Sequence, residues 1–125
     1  MEKRRILVVD DEPSITRLLK LNLEQTGHYV VEEQNVATQT LAAAETFRPD
    51  LILLDVMMPG VDGGELASQL QASHRLKRVP IVFLTAAVKK EEVASHGGLI
   101  GGLPFLAKPV DLLEVIACLN RHLKH

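Results

Sequence analysis

Short apolar runs alternate with longer segments whose apolar residues recur at helical spacing, five times along the chain. Runs such as Ile6-Leu7-Val8-Val9, Leu51-Ile52-Leu53-Leu54 and Ile81-Val82-Phe83-Leu84 are continuously apolar rather than alternating. Strands read that way when a sheet is covered on both faces, as parallel sheets are by the helices that connect their strands. The alternation therefore predicts βα units on a parallel sheet, an α/β architecture, and argues against a helical bundle or an all-β fold.

Residues 4–9 read as the first strand, followed by a helix with Ile15, Leu18, Leu19 and Leu23 on one face and Gly27 as its stop. Residues 29–33 make a weaker strand, expected at a sheet edge. Val36, Leu41, Ala44 and Phe47 give a second helix, closed by Pro49 before a third strand at 51–54. Pro59-Gly60 and Gly63-Gly64 bracket a loop, and a third helix carrying Leu66, Ala67 and Leu70 runs to about Ser73, with Asp62 as its natural cap. Strands four and five fall at 81–84 and 105–107. Between them, 89–96 is expected to form a shortened or irregular helix, because Gly97, Gly98, Gly101 and Gly102 weaken any continuation by about 1 kcal/mol per interior Gly. The last helix opens at Asp111, with Glu114 placed as in a capping box, and is expected to turn Leu113, Ile116 and Leu123 toward the sheet.

A chain of 125 residues fits one domain and can bury about two thirds of its unfolded surface. Lys and Arg total 14 against 16 Asp and Glu, a net charge of −2, and no basic run or aromatic interleaving along the sequence suggests direct nucleic-acid contact. Cys118 is the sole cysteine, so no intramolecular disulfide forms and a small helix residue in a reducing compartment is expected. No apolar stretch reaches the roughly 18 residues of a membrane span, and the run after Met1-Glu2-Lys3-Arg4-Arg5 is short for a secretory signal. The expectation is a cytoplasmic domain without membrane insertion. The histidines His28, His74, His96, His122 and His125 lack metal-binding spacing, and the Gly pairs match neither G-x-G-x-x-G nor G-x-x-x-x-G-K-[ST].

Chemistry gathers at the ends of the runs. Asp10-Asp11 follow the first, Asp55 the third, Thr85 the fourth and Lys108 the fifth. If the strands are parallel neighbours, their carboxyl ends share one edge holding three carboxylates, one hydroxyl and one ammonium, a formal sum of −2. Like carboxylates a few ångströms apart raise one another's pKa unless a cation compensates. A divalent metal would supply the missing charge.

Taken in order, Asp10-Asp11, Asp55 with Met58-Pro59-Gly60 and Asp62-Gly63, Thr85-Ala86, and Lys108-Pro109 resemble the receiver domain of two-component response regulators, over essentially the whole chain. The resemblance implies a flavodoxin-like, doubly wound five-stranded parallel sheet of order 2-1-3-4-5 with helices on both faces, the order of chemotaxis receivers. It places a ligand crevice between strands one and three. It implies that Asp55 is the nucleophile that becomes an aspartyl phosphate. Asp11, Asp55 and the Met57 main-chain carbonyl would bind Mg²⁺ directly, with Asp10 acting largely through water. Lys108 would balance phosphoryl charge, and the Thr85 hydroxyl and Ala86 amide would donate to phosphoryl oxygens. Phe105, three residues before Lys108, takes the place of the switch aromatic and, lacking a hydroxyl, implies a steric switch into space left by Thr85.

The implied partners are a histidine kinase or histidine phosphotransfer protein as donor and an unknown downstream protein. The implied output is a shift between two pre-existing conformations, largest near the fourth helix, fifth strand and fifth helix. Residues 1–125 are expected to form a single receiver domain without an output domain: a signalling domain that promotes its own phosphorylation and slow dephosphorylation. Met57 and Ala87 flank the approach of hydrolytic water and neither can orient it, so a long-lived phosphoryl group is expected. Two rivals stand beside this reading. A haloacid dehalogenase-like phosphatase also uses a strand-end Asp, a Thr, a Lys and Mg²⁺, but places another Asp where this chain has Met57. An adaptor of the same fold would no longer be phosphorylated, against which Asp55, Thr85 and Lys108 speak.

Overall fold

Ile6, Leu7, Val8 and Val9 are all fully buried, yet they serve two different cores: Ile6 and Val8 pack on one face of the sheet, Leu7 and Val9 on the other. Side chains of a strand alternate between faces, so an unbroken apolar run is what a sheet clothed on both sides requires. A computed structural model describes residues 2–86, 99–100 and 103–123 of the chain.

The principal strands are β1 (Arg4–Val9), β2 (Tyr29–Gln34), β3 (Leu51–Asp55), β4 (Ile81–Thr85) and β5 (Leu103–Ala107). They pair in parallel in the order β2-β1-β3-β4-β5, and a short strand, Leu99–Ile100, lies antiparallel on β5 at the outer edge. The doubly wound topology is thus the expected one, with the weak second strand at an edge. Helices α1 (Pro13–Gln25) and α4 (Leu112–His122) cover the face of Ile6 and Val8 through Leu19, Leu23, Val115, Cys118 and Leu119. Helices α2 (Thr40–Phe47) and α3 (Gly63–Ala72) cover the other through Ala44, Leu66, Ala67 and Leu70. Each fully buried Val, Leu or Ile side chain contributes about 1.5–3 kcal/mol relative to exposure.

Several local expectations need correction. Leu18 is 54% exposed and Leu113 is 77% exposed. The buried stripe of α1 runs through Thr16, Leu19 and Leu23, the Thr entering the interior because its hydroxyl is hydrogen-bonded. In α4 the stripe is Val115, Cys118 and Leu119, which turns Leu113 outward. The second helix starts later than Val36, which precedes a single 3₁₀ turn, Ala37–Gln39. It ends at Arg48 in a left-handed conformation, φ 55°, just before Pro49.

The segment after β3 is no plain loop. Met57–Met58 and Val61–Asp62 form a small antiparallel hairpin turning at Gly60, whose φ is +74°. Gly63 and Gly64 belong to α3, where the Asp62 side chain accepts from the Gly64 amide at 2.8 Å, the cap read from sequence. Asp111 caps α4 in the same way, accepting from the Leu113 amide at 2.8 Å. The expected irregular helix at 89–96, its glycine neighbours and Ala87 lie outside the described residues. Among the described residues no helix is long and apolar enough to cross a membrane.

Candidate functional site

The chain leaves β1 for α1 on one face and leaves β3 for α3 on the other, so the carboxyl ends of these adjacent strands border a crevice. Ligands of open α/β sheets bind at such reversal points. Asp10 and Asp55 project there from the interior, 0% and 3% exposed, while Asp11 is exposed. One carboxylate oxygen of each of the three lies within 4.8 Å of the others.

The positions of these acids follow from strand pairing carried past the strand ends. The Asp10 amide donates to the Gln34 carbonyl at 3.1 Å and the Val56 amide to the Leu84 carbonyl at 3.0 Å. Thr85 pairs with Ala107, and the Lys108 amide donates to the Thr85 carbonyl at 2.8 Å, which brings Lys108 to the same edge. The Lys108–Pro109 peptide is cis. Lys108 Nζ lies 2.6 Å from Asp10 Oδ2 and 3.5 Å from Asp55 Oδ2. The remaining oxygens are held from the backbone, Asp10 Oδ1 by the Glu12 amide at 2.9 Å and Asp55 Oδ1 by the Met57 amide at 3.2 Å.

Burial raises the Asp55 pKa to about 6, the Met57 amide pulls against this, the Asp10 charge adds to it and Lys108 opposes it. For Lys108, burial favours the neutral amine, but the hydrogen bond and charge of Asp10, then those of Asp55, outweigh it and raise its pKa. The lysine stays charged. The pocket's formal sum therefore remains −2, and its donors are all hard oxygens, which suits a divalent cation such as Mg²⁺ in both charge and ligand type.

Asp10, Asp11, Asp55 and Lys108 thus come together, and Thr85 ends the strand that pairs beside Asp55. Thr85 is 2% exposed, Ala86 is exposed on the loop that follows, and Met57 is 68% exposed two residues beyond Asp55. Phe105 stands apart: half-buried, it lies opposite Phe83 in the β4–β5 register and packs into the core covered by α2 and α3. Two supporting residues were missed. A Cβ on Gly63 would stand 2.6 Å from the Val56 carbonyl oxygen and 2.9 Å from that of Asp55, so this glycine lets α3 seat directly behind the end of β3. Asn35, just after the edge strand, donates through Nδ2 to the Asp10 carbonyl at 2.7 Å. The Asp-Gly-Gly helix entrance is a sequence hint for the first; no periodicity marks the second.

Fold and site together define a doubly wound α/β domain with an acidic, lysine-bridged crevice at its switch point. The family model for the response regulator receiver domain matches residues 6–120. The chain is 44% identical over 115 residues to the alkaline phosphatase synthesis transcriptional regulatory protein PhoP of Bacillus subtilis (strain 168), covering 91% of this chain and 46% of that protein. It is 38% identical over 125 residues to the phosphate regulon transcriptional regulatory protein PhoB of Pseudomonas aeruginosa, covering 99% and 53%. Among solved structures, the chemotaxis protein CheY4 of Vibrio cholerae aligns with a TM-score of 0.83 at 30% identity over 98% of this chain and 100% of that one. The chain belongs to the response regulator receiver domain family, whose members are signalling domains rather than classical enzymes. It spans about half the length of the curated relatives it matches.

Proposed function

We propose that residues 1–125 act as one phosphorylation-dependent receiver unit in the cytoplasm, with Asp55 as the phosphoacceptor. The observation that carries this reading is the convergence of three carboxylates within 4.8 Å, with Lys108 Nζ between Asp10 and Asp55. An Asp55 carboxylate oxygen attacks phosphorus of a phosphohistidine on a histidine kinase or phosphotransfer protein. The P–O bond forms, the P–N bond breaks, and the departing imidazole takes up a proton. Asp11, Asp55 and the Met57 carbonyl would hold Mg²⁺ directly, and Asp10 would act largely through bound water. When bound, Mg²⁺ neutralises the charge that spreads over the phosphoryl oxygens.

Lys108 offers the other counter-charge. Its ammonium can exchange part of its contact with the Asp10 and Asp55 carboxylates for a phosphoryl oxygen. Thr85 Oγ1 and the Ala86 amide supply neutral donors from the adjacent strand end, and movement of that loop opens space toward which Phe105 turns. A downstream protein reads the resulting shape.

The test is incubation of the intact chain with Mg²⁺ and a small phosphoryl donor such as phosphoramidate. The expected product carries one phosphoryl group, sensitive to hydroxylamine, and Asp55→Asn does not form it. Phosphate on another residue overturns the assignment. Sustained many-turnover release of phosphate from phosphomonoesters would favour the dehalogenase-like phosphatase instead. No spectral response to beryllofluoride and Mg²⁺ would leave the adaptor.

A further inference from the structure

A chain of polar contacts reaches the acidic crevice from the edge of the sheet and ends on the peptide that joins Asp10 to Asp11. Asn35 Nδ2 lies 2.7 Å from the Asp10 carbonyl oxygen and 3.0 Å from Thr16 Oγ1. A carbonyl can only accept, so the Asn35 amide must present its nitrogen here, and its two hydrogens have these two acceptors. Thr16 is fully buried, and having accepted from Asn35 it has one hydroxyl proton to give. The Glu33 carboxylate oxygen at 2.8 Å is the nearer and stronger acceptor than the Pro13 carbonyl at 3.2 Å. The other Glu33 oxygen takes Arg17 Nε at 3.1 Å. Donors therefore run from Arg17 and Thr16 into Glu33, and from Asn35 into Thr16 and Asp10.

The Asp10 side chain is fixed independently, by Lys108 and by the Glu12 amide. Asp11 is exposed, and the direction in which its side chain leaves the backbone depends on the rotation of the Asp10–Asp11 peptide plane. That plane carries the carbonyl to which Asn35 is bonded. Groups that orient a ligand without touching the ion typically change metal affinity by factors of ten or more.

We propose that Asn35 and Thr16 are positioning residues for the cation site: they lock the Asp10–Asp11 peptide so that Asp11 is aimed into the crevice before the ion arrives. The inference rests on reading the crevice as a Mg²⁺ site. It gives a function to a buried threonine and to an asparagine that no part of the phosphoryl chemistry touches.

The experiment is calorimetric titration of the metal-free chain with MgCl₂, for the native protein and for Asn35→Ala, Thr16→Val and Thr16→Ser, with melting temperatures in chelator alongside. Asn35→Ala and Thr16→Val are expected to bind Mg²⁺ roughly tenfold more weakly, while Thr16→Ser, which keeps the hydroxyl, stays within about twofold of the native protein. The amide resonances of Asp11 and Glu12 should shift in the two weakened variants before any Mg²⁺ is added. Native-like affinity in both Asn35→Ala and Thr16→Val overturns the inference, as does a Thr16→Ser loss equal to that of Thr16→Val. Absence of Mg²⁺ binding by the native chain would instead bring down the metal reading itself, and this one with it. Should Asn35→Ala fold poorly, Thr16→Val against Thr16→Ser decides alone.

Discussion

Lys108 Nζ stands 2.6 Å from Asp10 Oδ2, closer than the 3.5 Å to Asp55 Oδ2, with the lysine side chain only 12% exposed and the Asp10 side chain fully buried. The lysine therefore compensates a buried acid before any phosphoryl group is present. Removing one member of a buried ion pair leaves the other uncompensated, at a cost of about 3–5 kcal/mol. Lys108→Ala should lower stability by that order in chelator at pH 7.5, measured by urea unfolding. Added Mg²⁺ should recover more stability in the variant than in the native chain, because the crevice then holds two buried carboxylates without a cation. Equal Mg²⁺ stabilisation of both proteins would contradict this account.

The raised pKa of Asp55 makes a second prediction with a definite sign. A carboxyl whose folded pKa exceeds its unfolded value binds more protons in the folded state between the two, so stability falls as pH rises through that window and levels off above it. With the folded value pushed up to about 6 from 3.8, the window runs from about pH 4 to 6. In the metal-free chain at pH 7.5 the ionised Asp55 should cost on the order of 1–3 kcal/mol. Asp55→Asn, which can still accept from the Met57 amide, should be more stable than the native chain at pH 7.5, and the difference should vanish near pH 4. Thermal unfolding across pH in chelator measures it; Mg²⁺ should narrow or reverse the difference.

Gly63 and Gly64 adjoin in sequence but should respond differently to alanine. At Gly63 the new Cβ would meet the Val56 carbonyl oxygen at 2.6 Å, a backbone atom that cannot swing away, so Gly63→Ala should destabilise by about 1–3 kcal/mol. The displaced Val56–Met57 segment carries the amide bonded to Asp55, and phosphorylation by a small donor should slow with it. At Gly64 the nearest atom is Asp62 Oδ1 at 3.3 Å, at the end of a side chain. Gly64→Ala should lie between neutral and about 1 kcal/mol stabilising, the helix-propensity gain of Ala over Gly. Denaturation midpoints of the pair decide it.

The residues that sequence reasoning placed well are those whose signal is one-dimensional. A buried strand declares itself as an unbroken apolar run, and the residue that ends the run declares the sheet edge, so Asp10, Asp55, Thr85 and Lys108 can be assigned to one edge from the sequence. Helix faces were less legible, because adjacent apolar residues such as Leu18 and Leu19, or Leu112 and Leu113, compete for the one inward direction. Which wins is set by tertiary packing: Thr16 of α1 occupies the interior because Glu33, on strand β2, accepts its hydroxyl. Asn35 and Gly63 escaped for the same reason. Each matters through a contact with a main-chain atom distant or differently folded in sequence, the Asp10 carbonyl in one case and the Val56 carbonyl in the other.

The lifetime of the phosphoryl group offers the last test. Met57 lies two residues past Asp55, 68% exposed, with its amide already committed to Asp55 Oδ1. Its thioether is a weak acceptor and no donor, so it cannot fix a water molecule for attack on phosphorus. An asparagine there would add a donor and an acceptor at the mouth of the crevice without touching the buried acids. One ordinary hydrogen bond to the attacking water, worth about 1 kcal/mol in the transition state, corresponds to roughly fivefold in rate. Met57→Asn should therefore lose its phosphoryl group about that much faster, followed by intact mass after removal of donor, while its stability in chelator stays close to native because the side chain is exposed. Decay at the native rate or slower would show that water does not approach past this residue, and would move the search for the lifetime determinant elsewhere on the rim.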